Sequence, residues 1–233
     1  MKRPFLLLTL WPALLLFLLV AGCGKSGGHC PSPNLDIAVC DPGAGPFSLT
    51  IDNDFFPLEV GSQFVLEDEG ATSRVEISVL DETEEIAGVT TRVVRSTEYE
   101  DGELIEDTRD YFAQAPDGTV CYFGEDVDIY KGGEVTSHKG SWRAGVNGNL
   151  PGIQMPADPA VGMVFRQEFA SGVAEDIAEV TALGEQIDIP AGMFDDTLSS
   201  KDCNPLESGA KDTKVYIRGI GLAIDEDAEL LPD

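Results

Sequence analysis

The stretch Arg74-Val75-Glu76-Ile77-Ser78-Val79-Leu80 decides the fold class. Strict alternation puts Val75, Ile77 and Val79 on one face, which is the period of a half-buried strand. Working outward, Val89–Thr97 is β-branched at most positions. Turn signals fall at regular intervals: Glu67-Asp68-Glu69-Gly70, Asp101-Gly102, Pro116-Asp117-Gly118 and Lys131-Gly132-Gly133, each between β-rich runs. These predict strands over Phe64–Glu67, Arg74–Asp81, Gly88–Tyr99, Leu104–Ala113, Thr119–Gly124, Asp126–Tyr130 and Glu134–Trp142. Further strands are expected over Met163–Phe169, Asp176–Leu183, Phe194–Ser200, Thr213–Arg218 and Gly221–Asp225. Between the two sets, Asn147–Gly162 holds three Pro and three Gly and reads as a long loop, either a crossover or the rim of a site. The expected class is all-β: one antiparallel meander curled into an up-and-down barrel, half-barrel or sandwich, because so long a sheet cannot stay flat.

Composition narrows the function classes. The chain has 233 residues, with 42 Asp and Glu against 15 Lys and Arg, and a formal net charge of −27. A hydrophobic content of 42%, with 11 Phe and 5 Tyr, suffices for a core and argues against disorder. The acidic balance argues against nucleic acid as a partner, since phosphates need basic patches. Two His, four Met and five Cys leave little for a transition-metal enzyme. The charge fits a solvated, self-repelling surface that salt or calcium would screen.

The N-terminus carries an address. Lys2 and Arg3 precede an apolar run from Phe5 to Val20, broken by Thr9 and Pro12, which meets Val20-Ala21-Gly22-Cys23. The run is shorter than the roughly 20 residues of a spanning helix, and small residues follow it. It resembles the bacterial lipoprotein signal, whose lipobox ends in Cys. That resemblance implies cleavage before Cys23, a diacylglycerol on its thiol and an acyl chain such as palmitate on the new amino group. The protein would then meet the membrane through its lipid anchor only, on the extracytoplasmic side of a bacterial cell envelope. Gly24 points to the outer membrane if the host is Gram-negative. The alternatives are an uncleaved anchor or an ordinary secretory signal. The expected organisation is a signal peptide at 1–22, a flexible, disulfide-looped tether at 23–45, one β domain at 46–225 and a fraying acidic tail at 226–233.

Beyond Cys23 remain Cys30, Cys40, Cys121 and Cys203, and an even number in an exported chain reads as two disulfides. Cys30 and Cys40 are neighbours in a Pro/Gly-rich stretch and are expected to pair. Cys121 and Cys203, both in strand-like segments, are expected to form a long-range staple. A metal site on His29, Cys30 and Cys40 lacks a second close ligand pair. No metal or cofactor is expected beyond weak surface calcium at Glu125-Asp126-Val127-Asp128 or Asp225-Glu226-Asp227. Asp52-Asn53-Asp54 runs into Phe55-Phe56-Pro57, where a calcium loop needs further ligands.

A second resemblance rests on Asn53-Asp54-Phe55-Phe56-Pro57-Leu58-Glu59-Val60-Gly61, then Phe64-Val65-Leu66-Glu67 and the turn Ile86-Ala87-Gly88. Asp101-Gly102, Tyr111-Phe112 and Tyr122-Phe123-Gly124 suit the same pattern. It resembles a loose group of uncharacterised bacterial exported proteins, and implies an extracytoplasmic β-meander while carrying over no catalytic residue.

Catalytic constellations do not emerge. His138 is the only His outside the tether and is expected to face solvent, and neither a G-x-S-x-G elbow nor a Walker loop occurs. The neighbourhood richest in chemistry is Trp142-Arg143, the 147–162 loop and the strand that follows. Alternation there puts Phe165, Gln167 and Phe169 on one face and Arg166 and Glu168 on the other. After the Ser171-Gly172 turn, Glu175 and Asp176 are expected across a hairpin from Arg166, forming ion pairs. Trp142, Arg143, Arg166, Glu168, Glu175 and Asp176 are thus the candidate ligand-binding residues, with Trp142 expected to anchor the core. Three function classes follow. The first is a non-enzymatic binding role, with an apolar ligand in the curled sheet. The second is an envelope structural or assembly component acting through protein contacts. The third is a carboxylate-dependent glycan hydrolase.

Overall fold

The computed structural model describes residues 30–207 and 211–232, so the signal peptide and Cys23 lie outside the described residues. A small hairpin opens the body, with β1 (Ile51–Asn53) paired to β2 (Phe56–Leu58). A meander follows through β3 (Gln63–Glu67), β4 (Ser73–Ile86), β5 (Val89–Glu100), β6 (Glu103–Gln114) and β7 (Val120–Lys131). Then β8 (Glu134–Ser137), β9 (Trp142–Arg143) and β10 (Gly152–Met155) all pair with β7. The second half starts with β11 (Val164–Arg166) and β12 (Ile177–Leu183), followed by a side hairpin of β13 (Ile187–Ile189) and β14 (Gly192–Phe194). It ends with β15 (Thr197–Cys203), β16 (Lys211–Ile217), β17 (Gly221–Asp225) and β18 (Ala228–Leu230).

The main sheet has 14 strands and runs β10-β7-β6-β5-β4-β3-β18-β17-β16-β15-β12-β11, with β8 and β9 also on β7. Two meanders therefore meet where β18 pairs with β3. The chain is all-β and antiparallel, as expected, and the large sheet is not closed into a barrel. Right-handed twist accumulating over so many strands curls it and brings its two ends together. At that seam the Leu150 N–H donates to the Phe169 carbonyl at 3.1 Å. Gly152 on β10 lies so close to the chain beyond β11 that a Cβ there would sit 2.0 Å from the Gln167 carbonyl oxygen. Only glycine allows this approach.

The disulfides correct the expected pairing. Cys30 bonds Cys203 on β15, and Cys40 bonds Cys121 on β7, with Cα separations of 5.6 and 5.5 Å. These two strands lie near opposite ends of the sheet, so residues 30–45 form a strap across the seam and not a loose tether. The Asn34 and Leu35 N–H groups donate to the Val164 carbonyl at 2.8 and 3.1 Å, and Asn34 Oδ1 accepts from Val164 N at 2.9 Å. A 3₁₀ turn, Ile37–Cys40, then buries Cys40 completely. Sequence proximity favoured a Cys30–Cys40 bond, but the strap is extended enough for each cysteine to reach a different strand.

Other boundaries also move. The 147–162 loop contains β10, whose Ile153 and Met155 are core residues. The tail at 226–233 contains β18, held between β17 and β3 with Ala228 and Leu230 buried, so its acidic residues do not make it fray. The two strands expected over Thr119–Tyr130 are one, β7. The main core gathers Phe123, Ile153, Met155, Phe165, Val180 and Leu198 around the seam. A smaller one packs Leu66, Ile217, Ala223 and Leu230 against the β13–β14 hairpin.

Candidate functional site

Three strands of the first meander carry acids on their inward face. Alternation sends Val94, Ser96 and Glu98 of β5 inward, and likewise Glu106, Thr108, Asp110 and Phe112 of β6. The register sets Glu98 directly opposite Glu106. On β7 Tyr122 faces the same interior, and plain alternation would turn Glu125 outward. A β-bulge intervenes: Asp110 pairs with Glu125 and Phe112 with Tyr122, so two steps on β6 match three on β7. Gly124 makes this possible, with φ at 134° and no room for a Cβ, which would lie 2.3 Å from the Trp142 carbonyl oxygen. Glu125 is thereby turned inward against Asp110.

A second bulge acts across the seam. The N–H groups of Gln167 and Glu168 both donate to the Asp176 carbonyl, at 2.9 and 3.3 Å. Two residues oppose one, and Gln167, Glu168 and Asp176 all line the same interior.

The chamber, partly open to solvent, has a volume of about 560 Å³. Phe56, Leu58, Phe64, Val75, Ile77 and Leu222 supply an apolar wall, and the carboxylates of β5–β7 and of the seam supply the other. Lys214 of β16 is the cation within, 3.4 Å from Asp202 and 3.9 Å from Asp225. Lys139 is exposed where it borders the chamber. Among the described residues, Glu98, Glu106, Asp110, Glu125, Glu168 and Asp176 make no ion pair closer than 4 Å. Like charges placed directly opposite destabilise a ladder, and Glu98, Asp110, Glu125, Glu168 and Asp176 respond by holding protons more tightly.

The shifts follow from position. Burial pushes Glu125 up to about 10, with the charges of Glu168 and Asp110 adding to it. Burial and the facing Glu106 raise Glu98 to about 7, while burial and Asp176 raise Glu168 to about 7. Asp110 rises to about 6 because burial outweighs the hydrogen bond from Tyr122 Oη at 2.5 Å. Asp176 and Asp202 are also raised by burial. Burial opposes the charge on Lys214, yet Asp225 and Asp202 keep its ammonium above the ordinary lysine range.

The candidates read from sequence separate into three groups. Glu168 and Asp176 line the chamber. Trp142 is 4% exposed and packs edge-on against Tyr122, so it anchors the core. Arg143 lies outside the chamber, bonded to Asp126 at 2.5 Å and Glu84 at 2.8 Å, with its guanidinium over the Tyr111 ring. Arg166 stacks over Phe169 at 4.8 Å and forms no ion pair with Glu175 or Asp176 within 4 Å. Glu175 instead accepts from the Gly172 N–H in its turn. The expected Arg166 cluster is therefore not assembled, because the bulge at Gln167–Glu168 turns Glu168 away from it. His138 is exposed and 2.7 Å from Asp128. Asp54 pairs with Arg218, and Asn53 Oδ1 accepts from the Phe55 and Phe56 N–H groups, so this Asp52–Asp54 stretch serves the β1–β2 turn.

Comparison with known protein families, curated proteins and solved structures finds no match for this chain. The chamber must be read from its own geometry. Glu98, Glu106, Asp110 and Lys214 escaped the sequence reading, which took Glu125 for part of a surface calcium cluster and gave Gln167 only a face shared with Phe165 and Phe169. One signal was present: on β6 the single base, Arg109, falls in step with Asp107 and leaves Glu106 and Asp110 together on the alternate face.

Proposed function

We propose that this chain is an exported binding protein, anchored by a lipid on Cys23 in a bacterial cell envelope, that holds a small ligand in its curled sheet. The observation that carries this reading is the chamber. Its volume of about 560 Å³ falls among small-molecule sites, and an apolar wall facing a few polar groups is how such sites gain both affinity and orientation. Two long-range disulfides fit an oxidising compartment, and the lipobox supports the anchor.

Binding is tested by titrating the full chain with a fluorescent apolar probe, alongside native mass spectrometry of protein purified from its own host. Saturable binding is expected, and Ser96→Phe should weaken it severalfold by placing a ring in the chamber. No saturable binding and no retained ligand would contradict the reading. Anchoring is tested separately: Cys23→Ser should move the protein from the membrane to the soluble fraction, and continued membrane retention would contradict it.

A second reading draws on the opposed Asp110 and Glu125. Glycoside cleavage needs one protonated and one ionised carboxyl flanking the bond, and these two differ in that sense near neutrality. Release of reducing ends from envelope glycans, lost in Glu125→Gln, would support hydrolysis; binding without turnover would remove it.

A further inference from the structure

Resting on the binding reading above, we infer that the chamber takes an organic cation: a protonated amine or guanidinium carried on an apolar body. Four segments turn acids towards the same space: Glu98 from β5, Glu106 and Asp110 from β6, Glu125 from β7, and Glu168 and Asp176 from the β11–β12 connection. The facing side adds Asp225 of β17, Glu207, the exposed Lys139 and the Lys214 ammonium, with Asp202 behind it, and the Tyr122 hydroxyl donates to Asp110. Lys214 already pairs with Asp202 and Asp225, so the acids of β5–β7 and the seam keep no cation of their own.

An independent observation points to a ligand. Gln167 is 7% exposed, lines the chamber and makes no side-chain hydrogen bond among the described residues. Its amide atoms open onto the chamber, so the partner left to them is water or a bound molecule there. Asp176 Oδ1 is likewise buried and unpartnered.

The chemistry of the walls selects the class. An anion would meet the field of the acids. A wholly apolar molecule would gain the apolar wall but strip water from the acids without replacing it, and so would bind more weakly. A bare metal ion needs converging ligands, and no group of three or more His, Cys, Asp or Glu side chains among the described residues is arranged to hold one. An organic cation satisfies both walls. Its charge faces Asp110, Glu125 and Glu168 while its body lies against Phe56, Phe64 and Ile77. Phe112 and Tyr122, stacked with ring centroids 4.8 Å apart, add aromatic faces that attract cations.

The test uses the full chain in detergent and three matched probes: a dansyl alkylamine, its N-acetylated neutral form and the corresponding alkanoate. At pH 8 the amine should bind about tenfold tighter than the neutral probe or better, with the alkanoate weakest. Between pH 8 and pH 5 that preference should shrink, because Glu98, Asp110 and Glu168 take up protons and the cation must displace them. At pH 6, where Glu98 and Glu168 hold protons, titration in buffers of different ionisation enthalpy should show proton release with the amine and none with the neutral probe. In Glu168→Gln the amine's advantage should fall severalfold with the neutral probe unaffected. Equal binding of amine and neutral probes, or no proton release in the wild-type chain, would overturn the cation class while leaving the binding reading intact. No binding of any probe would overturn both. The proton-release measurement needs no variant, so it decides the matter even if Glu168→Gln fails to fold.

Discussion

The two faces of β5–β7 are built from the same strands and carry opposite electrostatic arrangements. On the outer face each arginine has an acid: Arg95 bonds Asp107 at 2.6 Å, Arg109 pairs with Glu82, and Arg143 bridges Asp126 and Glu84. Arg95 and Arg109 stand directly opposite each other, but each like-charged neighbour is offset by its own carboxylate. On the inner face Glu98 opposes Glu106 and Asp110 opposes Glu125, with no base between them. The comparison teaches that a net charge of −27 is not spread evenly. Part of it lies inside the curl, where burial turns it into stored protons.

The largest expected effect removes the enclosure that makes the inner face different. Replacing the four cysteines of both disulfides by serine frees the strap and should lower stability by about 4–5 kcal/mol per bond on the loop-entropy estimate, read as loss of folding or a large drop in Tm. Retention of wild-type Tm would show that the seam holds without the strap. Next comes the bulge. Gly124→Ala should cost about 2–4 kcal/mol, from the positive φ and the contact with the Trp142 carbonyl, and denaturant unfolding measures it. A neutral result would mean that Glu125 is not held inward by this residue.

The faces themselves separate in a third comparison. Arg143→Met strands two acids at a half-buried site and should lower stability by about 1 kcal/mol, or roughly 2–4 °C in Tm. Glu125→Gln at pH 8 removes a carboxyl that burial already keeps neutral, and should leave Tm unchanged or raise it. Equal losses in both variants would break the distinction. A fourth comparison is read from pH. Glu98, Glu168 and Asp110 have folded values raised to about 7, 7 and 6, so the folded chain holds protons that the unfolded chain releases above the ordinary carboxylate range. Their contribution is full below about pH 4 and is lost as pH rises through 6–7. Tm should therefore fall between pH 5 and pH 8, and a rise over that window would contradict the inner-face arrangement.

This contrast also explains what was legible in the sequence. Strands β4 to β7 were readable because Val75, Ile77 and Val79 alternate without interruption and the hairpin turns carry their own signals. The seam was not. Pro and Gly disguised β10, acids disguised β18, and the strap's cysteines pair according to positions in a sheet that local spacing does not reveal. For the chamber, alternation failed at two places where one extra residue reverses the facing of those beyond it: Gly124 turned Glu125 inward, and Gln167–Glu168 turned Glu168 away from Arg166. A period of two cannot register an inserted residue. Acids also occupy both faces of β6, so composition could not say which face was inside.

The most direct test of the account is a carboxyl-carbon NMR titration that follows Glu98, Asp110, Glu125 and Glu168 beside Asp126. Burial works against the charge on Asp126, but its bonds to Arg143 and Tyr111 hold it below the ordinary aspartate value. The account predicts that Asp126 titrates below the ordinary aspartate value, Asp110 near 6, Glu98 and Glu168 near 7 and Glu125 last, near 10. Inner carboxyls that all titrate near pH 4, together with Asp126, would contradict it.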